Sequence, residues 1–272
     1  MSKHFHVQWE KEELMASMDF PNDFNPFLRY PLIIICHGFI GSRIGVNRLF
    51  VKTADELVRD GFIVIRFDYA GCGESTGIYG GIGLSGMIEQ TQAVIQYARA
   101  LSFIEQDNIT LLGHSLGGAT ALLTAIHDNN IRNLILWSAV GQPFEDIELI
   151  IGKKNVDSLE TKDKINYLGY DFTNSYFQSL KKYHPLFELK GYSGNVLLIH
   201  GTADEEIPVT YCAKYEQSFL NREKGTVIRK EIKGANHIFS DGGHFVELLH
   251  ITKEWLSRQQ QIATNSFRNI QP

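Results

Sequence analysis

The sequence predicts an α/β protein, a mostly parallel sheet of eight strands with helices on both faces, folded as one domain over residues 1–272. Three observations lead there. Short β-branched apolar runs alternate with longer stretches whose apolar residues recur every three or four positions. The apolar runs lack in–out alternation, which is the pattern of strands covered on both faces. At 272 residues, 43% hydrophobic and 21% charged, the chain is large enough for one substantial core.

The elements follow in order. Residues 7–9 and 14–18 alternate in and out and predict a leading antiparallel hairpin. The runs 32–36, 62–67, 109–112, 134–137 and 196–199 read as buried strands. Between them, 46–59, 84–101 and 116–127 have helical periodicity. Strands alternating with helices imply βαβ units and a parallel sheet. Later come a helix near 209–219, a strand near 226–232 and a closing helix over 244–256. The polar residues from 258 to 272 read as a frayed tail.

One stretch breaks the rhythm. Residues 141–194 show no clean strand but many aromatics: Phe144, Tyr167, Tyr170, Phe172, Tyr176, Phe177, Tyr183 and Phe187. More than fifty residues between two core strands is too long for a simple crossover. The segment is expected to form a cap over the carboxyl ends of the strands, where open α/β sheets bind ligands.

Composition excludes several classes of function. Lys and Arg number 26 against 31 Asp and Glu, a net charge of −5, and the basic residues are scattered. Neither a nucleic acid nor a membrane surface is therefore expected as partner. Aliphatic runs fall far short of the roughly 18 residues of a spanning helix, and residues 1–11 lack the apolar core of a signal peptide. Cys36, Cys72 and Cys212 form no CxxC pair, so neither a disulfide framework nor a zinc site is expected. These features fit a cytoplasmic protein. A homodimer is compatible with them.

Gly113-His114-Ser115-Leu116-Gly117 matches G-x-S-x-G, a pattern that chance places in roughly one chain in ten of this length. Its context is more specific. A buried strand feeds straight in and an amphipathic helix leads straight out, the setting of a strained turn that presents a serine hydroxyl at the top of a sheet. Such a hydroxyl requires a base within hydrogen-bond reach. With the chain order Ser, acid, His, His237 is the candidate, because Gly234-Ala235-Asn236-His237 returns a loop to the same sheet edge. His244 and His250 lie within the closing helix; His127, His184 and His200 precede the acid. Asp204 is the first carboxylate past the strand end at 196–200, placed to orient an imidazole. Glu205 and Glu206 are its rivals, otherwise solvated or capping the next helix. Donors for a developing oxyanion are expected from the backbone N–H of Leu116 and, in the loop His37-Gly38-Phe39, from that of Phe39.

Other patterns carry less. Gly81-Ile82-Gly83-Leu84-Ser85-Gly86 spells G-x-G-x-x-G but does not follow a strand directly, as a dinucleotide site requires. His4 and His6 lack a third ligand nearby. His114 is expected to be held in the turn. Asp68 and the loop Gly71-Cys72-Gly73-Glu74-Ser75 either line the site or form a structural turn. No metal or cofactor is expected.

Taken together, Cys36-His37-Gly38-Phe39, Arg66-Phe67-Asp68, Gly113-His114-Ser115-Leu116-Gly117-Gly118, His200-Gly201-Thr202-Ala203-Asp204 and Gly234-Ala235-Asn236-His237 resemble the α/β-hydrolases in their chain order. Within them the sequence looks most like the bacterial cinnamoyl and feruloyl esterases, intracellular carboxylesterases with a small inserted cap. The resemblance implies an α/β-hydrolase fold, a Ser115–Asp204–His237 triad, Phe39 and Leu116 as oxyanion donors, and hydrolysis of short-acyl or aryl-acyl esters, hydroxycinnamates among them. The same triad serves thioesterases, amidases and peptidases, and the fold also serves non-catalytic ligand-binding proteins.

Overall fold

The computed structural model describes residues 1–268. Its central sheet has eight strands. β1 (Ser2–Trp9) and β2 (Glu12–Asp19) form the leading hairpin, with Val7 opposite Leu14. β3 (Tyr30–Cys36), α1 (Leu49–Leu57), β4 (Ile63–Phe67), α2 (Gly83–Arg99), β5 (Ile104–His114), α3 (Leu116–Ile126) and β6 (Ile131–Trp137) follow in alternation. After the insertion come β9 (Asn195–Gly201), α8 (Thr210–Leu220), β10 (Val227–Ile232) and α9 (Gly242–Arg268). Strand order is β1-β2-β4-β3-β5-β6-β9-β10. β2 runs antiparallel to β4, and every pair from β4 to β10 is parallel.

Each central strand is buried on both sides, so successive residues feed two cores. Ile34, Ile65, Leu111 and Leu134 pack on one face with Leu84, Met87 and Leu122 from α2 and α3. Ile33, Val64, Leu112 and Ile135 pack on the other with Leu49 of α1 and Leu248 and Trp255 of α9. This is the physical meaning of the unbroken apolar runs: no face is left for water.

The structure corrects three expectations. The first helix begins at Leu49 rather than at 46, because Gly45, Asn47 and Arg48 sit at φ 71°, 54° and 60° and so turn the chain out of helical geometry. The tail expected to fray from 258 continues α9 to Arg268; Arg, Gln and Ala in this stretch are good helix formers. Residues 269–272 of that tail lie outside the described residues. The insertion at 141–194 is also not free of strands. It contains α4 (Pro143–Ile151), α5 (Lys153–Asp157), β7 (Lys164–Tyr167), β8 (Tyr170–Thr173), α6 (Asn174–Leu180) and α7 (Pro185–Glu188). β7 and β8 pair across a tight turn, with Leu168 and Gly169 at φ 49° and 87° and with Ile165 opposite buried Phe172. No helix among the described residues is long and apolar enough to cross a membrane.

Candidate active site

β5 ends at His114 and α3 begins at Leu116, so one residue makes the whole turn between them. Ser115 is held there at φ 58°, ψ −126°, a conformation that non-glycine residues adopt only when their surroundings impose it. Its N–H donates to Trp137 C=O at 2.9 Å, and its C=O accepts from Gly118 N–H at 2.9 Å and Val140 N–H at 3.1 Å. The turn closes because Gly117 has no side chain: a Cβ there would lie 2.1 Å from Cys36 O. Leu116 is the first residue of α3, where backbone N–H groups have no intrahelical partner.

Opposite the serine lies the loop after β3. A Cβ on Gly38 would come within 2.9 Å of Ser115 Cβ, so loop and serine are in close contact. His37 is buried, and Tyr69 N–H donates to its Nε2 at 3.1 Å. The ring proton is therefore on Nδ1, which donates to Gly38 C=O at 2.9 Å. Gly41 N–H reaches the same carbonyl at 3.2 Å. Two donors on one carbonyl fix that peptide plane, and the Phe39 N–H projects from its opposite edge. Burial pushes the His37 imidazole below its ordinary value, against the opposing pull of Gly38 and Asp68, in keeping with the neutral tautomer.

Asp204 follows β9 and accepts four hydrogen bonds. Oδ1 takes Glu206 N–H at 3.0 Å and Ile207 N–H at 2.8 Å. Oδ2 takes His237 Nδ1–H at 2.8 Å and His200 Nε2–H at 3.0 Å. Burial alone would raise this carboxyl. The hydrogen bonds from His200 and His237, with the charge of His237 and the Ile207 N–H, outweigh it and hold the group well below the carboxylate range. His114 donates from Nε2 to His237 C=O at 2.8 Å, and the two rings lie 4.7 Å apart. Burial, reinforced by neighbouring His237, pushes His114 down to about 3, so this ring is neutral.

Ser115, His237, Gly38 and Phe39 line one cavity of roughly 220 Å³ together with Phe50, Tyr167 and Glu206. No hydrogen bond joins Ser115 Oγ to His237 Nε2 among the described residues; Glu206 Oε2 lies 3.8 Å from that nitrogen instead. Phe39 is packed against insertion residues, with ring centroids 5.5 Å from Phe172 and 6.2 Å from Tyr167. All five residues singled out in the sequence thus fall around one sheet edge. Asp68 and the loop after it do not line the cavity: Asp68 is fully buried and paired with Arg43. His4 is bonded to Ser17, and among the described residues no group of three or more His, Cys, Asp or Glu is placed to hold a metal ion. His37 enters the site by fixing the Gly38 carbonyl, and Glu206, a rival acid in the sequence, by facing His237 Nε2 instead; His200, which precedes the acid in chain order, lies beside Asp204.

Residues 31–163 match a protein-family model described as the alpha/beta hydrolase fold. Over 94% of its length the chain superposes on 99% of Est1E from Butyrivibrio proteoclasticus, in a structure with ferulic acid bound, at a TM-score of 0.81 and 23% identity. The chain has the α/β-hydrolase fold. Among curated relatives, the chain is 36% identical over 108 residues to an uncharacterized 31.7 kDa Escherichia coli protein from the traX-finO intergenic region. That match takes in 40% of this chain and 37% of the relative. It is 31% identical over 106 residues to the quorum-quenching protein AidA of Acinetobacter baumannii, 39% of this chain and 34% of that one. The chain therefore spans well under half the length of these two relatives.

Proposed function

We propose that the protein is a serine carboxylic ester hydrolase working through an acyl-enzyme. The observation that carries the reading is one juxtaposition: a serine in a strained strand-to-helix turn shares a cavity with an imidazole whose far nitrogen is bonded to a buried carboxylate. Ser115 Oγ attacks the ester carbonyl while His237 Nε2 takes its proton. Asp204 holds the Nδ1–H tautomer and stabilises the imidazolium as it forms. The N–H groups of Phe39 and Leu116 receive the oxyanion, each worth on the order of 10²–10³ in rate. His237 returns its proton to the leaving alkoxide, and water repeats the cycle on the acyl-enzyme. In the resting state Ser115 and His237 are not bonded, and apo sites of this kind often tighten only with substrate in place.

The insertion serves in this reading as a cap, since Tyr167 and Leu168 come from the β7–β8 turn into the cavity wall. A cavity of this size with aromatic walls suits a short acyl or aryl-acyl group. Ferulic acid in the structurally similar Est1E supports placing hydroxycinnamates in the screen. The test is hydrolysis of p-nitrophenyl and hydroxycinnamate methyl esters beside acyl-thioester and aminoacyl-amide substrates, with fluorophosphonate labelling of wild type and Ser115→Ala. Turnover and labelling that both vanish with Ser115 are expected. Retained turnover in the variant would refute the nucleophile, and faster cleavage of thioesters or amides would refute the ester preference.

A further inference from the structure

We infer that His200 is a positioning residue for the catalytic acid, so that Asp204 is shared between two imidazoles rather than serving His237 alone. This rests on the triad reading above.

His200 is the penultimate residue of β9, and its side chain is 2% exposed. Its Nε2 lies 3.0 Å from Asp204 Oδ2 and 3.0 Å from Ile207 C=O. Both partners are acceptors, so Nε2 carries the proton and the ring is a forked donor. It therefore fastens the acid and the backbone three residues beyond it to a rigid strand. His237 sits on a loop instead. An acid with only that loop histidine on Oδ2 is free to turn about its Cβ–Cγ bond within the limits set by Glu206 and Ile207 N–H.

Sharing also tunes the acid. A second donor on Oδ2 spreads the negative charge and weakens the pull of that oxygen on the His237 proton. Without His200 that oxygen is left to His237 alone. The other groups facing this network do not substitute. His114 is spent on His237 C=O, Glu206 faces Nε2 of His237, and Glu231, the register partner of His200 on β10, is paired with Arg229 at 2.6 Å. His200 is not among the residues that line the cavity, so its action is through Asp204.

The experiment compares His200→Ala and His200→Gln with wild type on p-nitrophenyl acetate across pH, with fluorophosphonate labelling to count competent sites. The low-field ¹H NMR signal of the His237 Nδ1 proton is followed in the same samples. In the alanine variant kcat per labelled site should fall roughly 10- to 100-fold with KM within about twofold, and the acid limb of the pH profile should move upward. The His237 Nδ1 proton should move further downfield. Glutamine, which keeps an N–H donor, should recover part of each change. An unmoved acid limb together with an unmoved resonance would overturn the inference, as would a loss explained wholly by fewer labelled sites. If wild type shows neither turnover nor labelling, the hydrolase reading fails. The resonance then still decides whether His200 competes for Asp204.

Discussion

Asp204 accepts from four donors, and this predicts what asparagine would do there. The two backbone N–H groups on Oδ1 would hold the amide oxygen on their side, so the NH₂ would face His237. Nδ1 would then have to accept, the ring proton would move to Nε2, and the base would be lost. Asp204→Asn should lower kcat by up to about 10⁴, in line with other triads, whereas Glu205→Gln should change it little; steady-state kinetics of both decide. Glu206 is the only carboxylate, and no Lys or Arg accompanies it, among the cavity-lining residues. Wild type should therefore disfavour an ester bearing a carboxylate against its neutral isostere. Glu206→Gln should narrow that kcat/KM ratio by about three- to tenfold, less at high salt. An unchanged ratio would place Glu206 outside the substrate's field. Ser115, Asp204 and His237 stand out in the sequence because a motif, a strand end and a chain order each isolate one residue. The positions of Glu206, a rival acid in the sequence, and of His200 depend instead on where a side chain points: one toward His237, the other to Asp204.

Element by element, legibility followed burial. The central strands are apolar on both faces and bounded by turn residues, so their runs stand out; the cores they feed leave no other reading. The β7–β8 hairpin leaves no period in the sequence because each strand has four residues and only Ile165 and Phe172 face inward firmly. A local signal existed in Leu168-Gly169, flanked by Tyr167 and Tyr170, since two successive residues at positive φ suit a two-residue hairpin turn. That hairpin matters for specificity, because its turn supplies Tyr167 to the cavity and its strand supplies Phe172 to the cluster holding Phe39. Tyr167→Ala should accordingly cost bulky and aryl-acyl esters about 10-fold in kcat/KM relative to acetate, the usual scale for losing part of an apolar wall. Equal losses across acyl groups would mean that Tyr167 acts only by supporting the fold.

At the scale of the whole molecule, two neutral histidines buried beside the sheet edge couple stability to pH. Burial holds His114 at about 3 and pushes His37 below its ordinary 6.5. In the unfolded chain both rings titrate near the ordinary value, so just below pH 6.5 the unfolded state binds protons that the native state refuses. Stability therefore rises with pH through this window. The contribution is fully present above pH 6.5 and is lost as pH falls toward about 3 for His114. Each such ring contributes a slope of up to about 1.4 kcal/mol per pH unit. Asp204, held below the carboxylate range, adds its own loss as pH falls through the ordinary carboxyl value of 3.8, so over pH 6.5 to 4.5 the difference between wild type and a His114 variant isolates that ring. Urea unfolding across that interval should show wild type weakening steadily. His114→Gln can still donate to His237 C=O but cannot titrate, so its slope should be shallower by about one proton. Parallel slopes in the two proteins would mean that His114 takes up a proton in the native state, and that the ring packed against His237 is not the neutral prop described here.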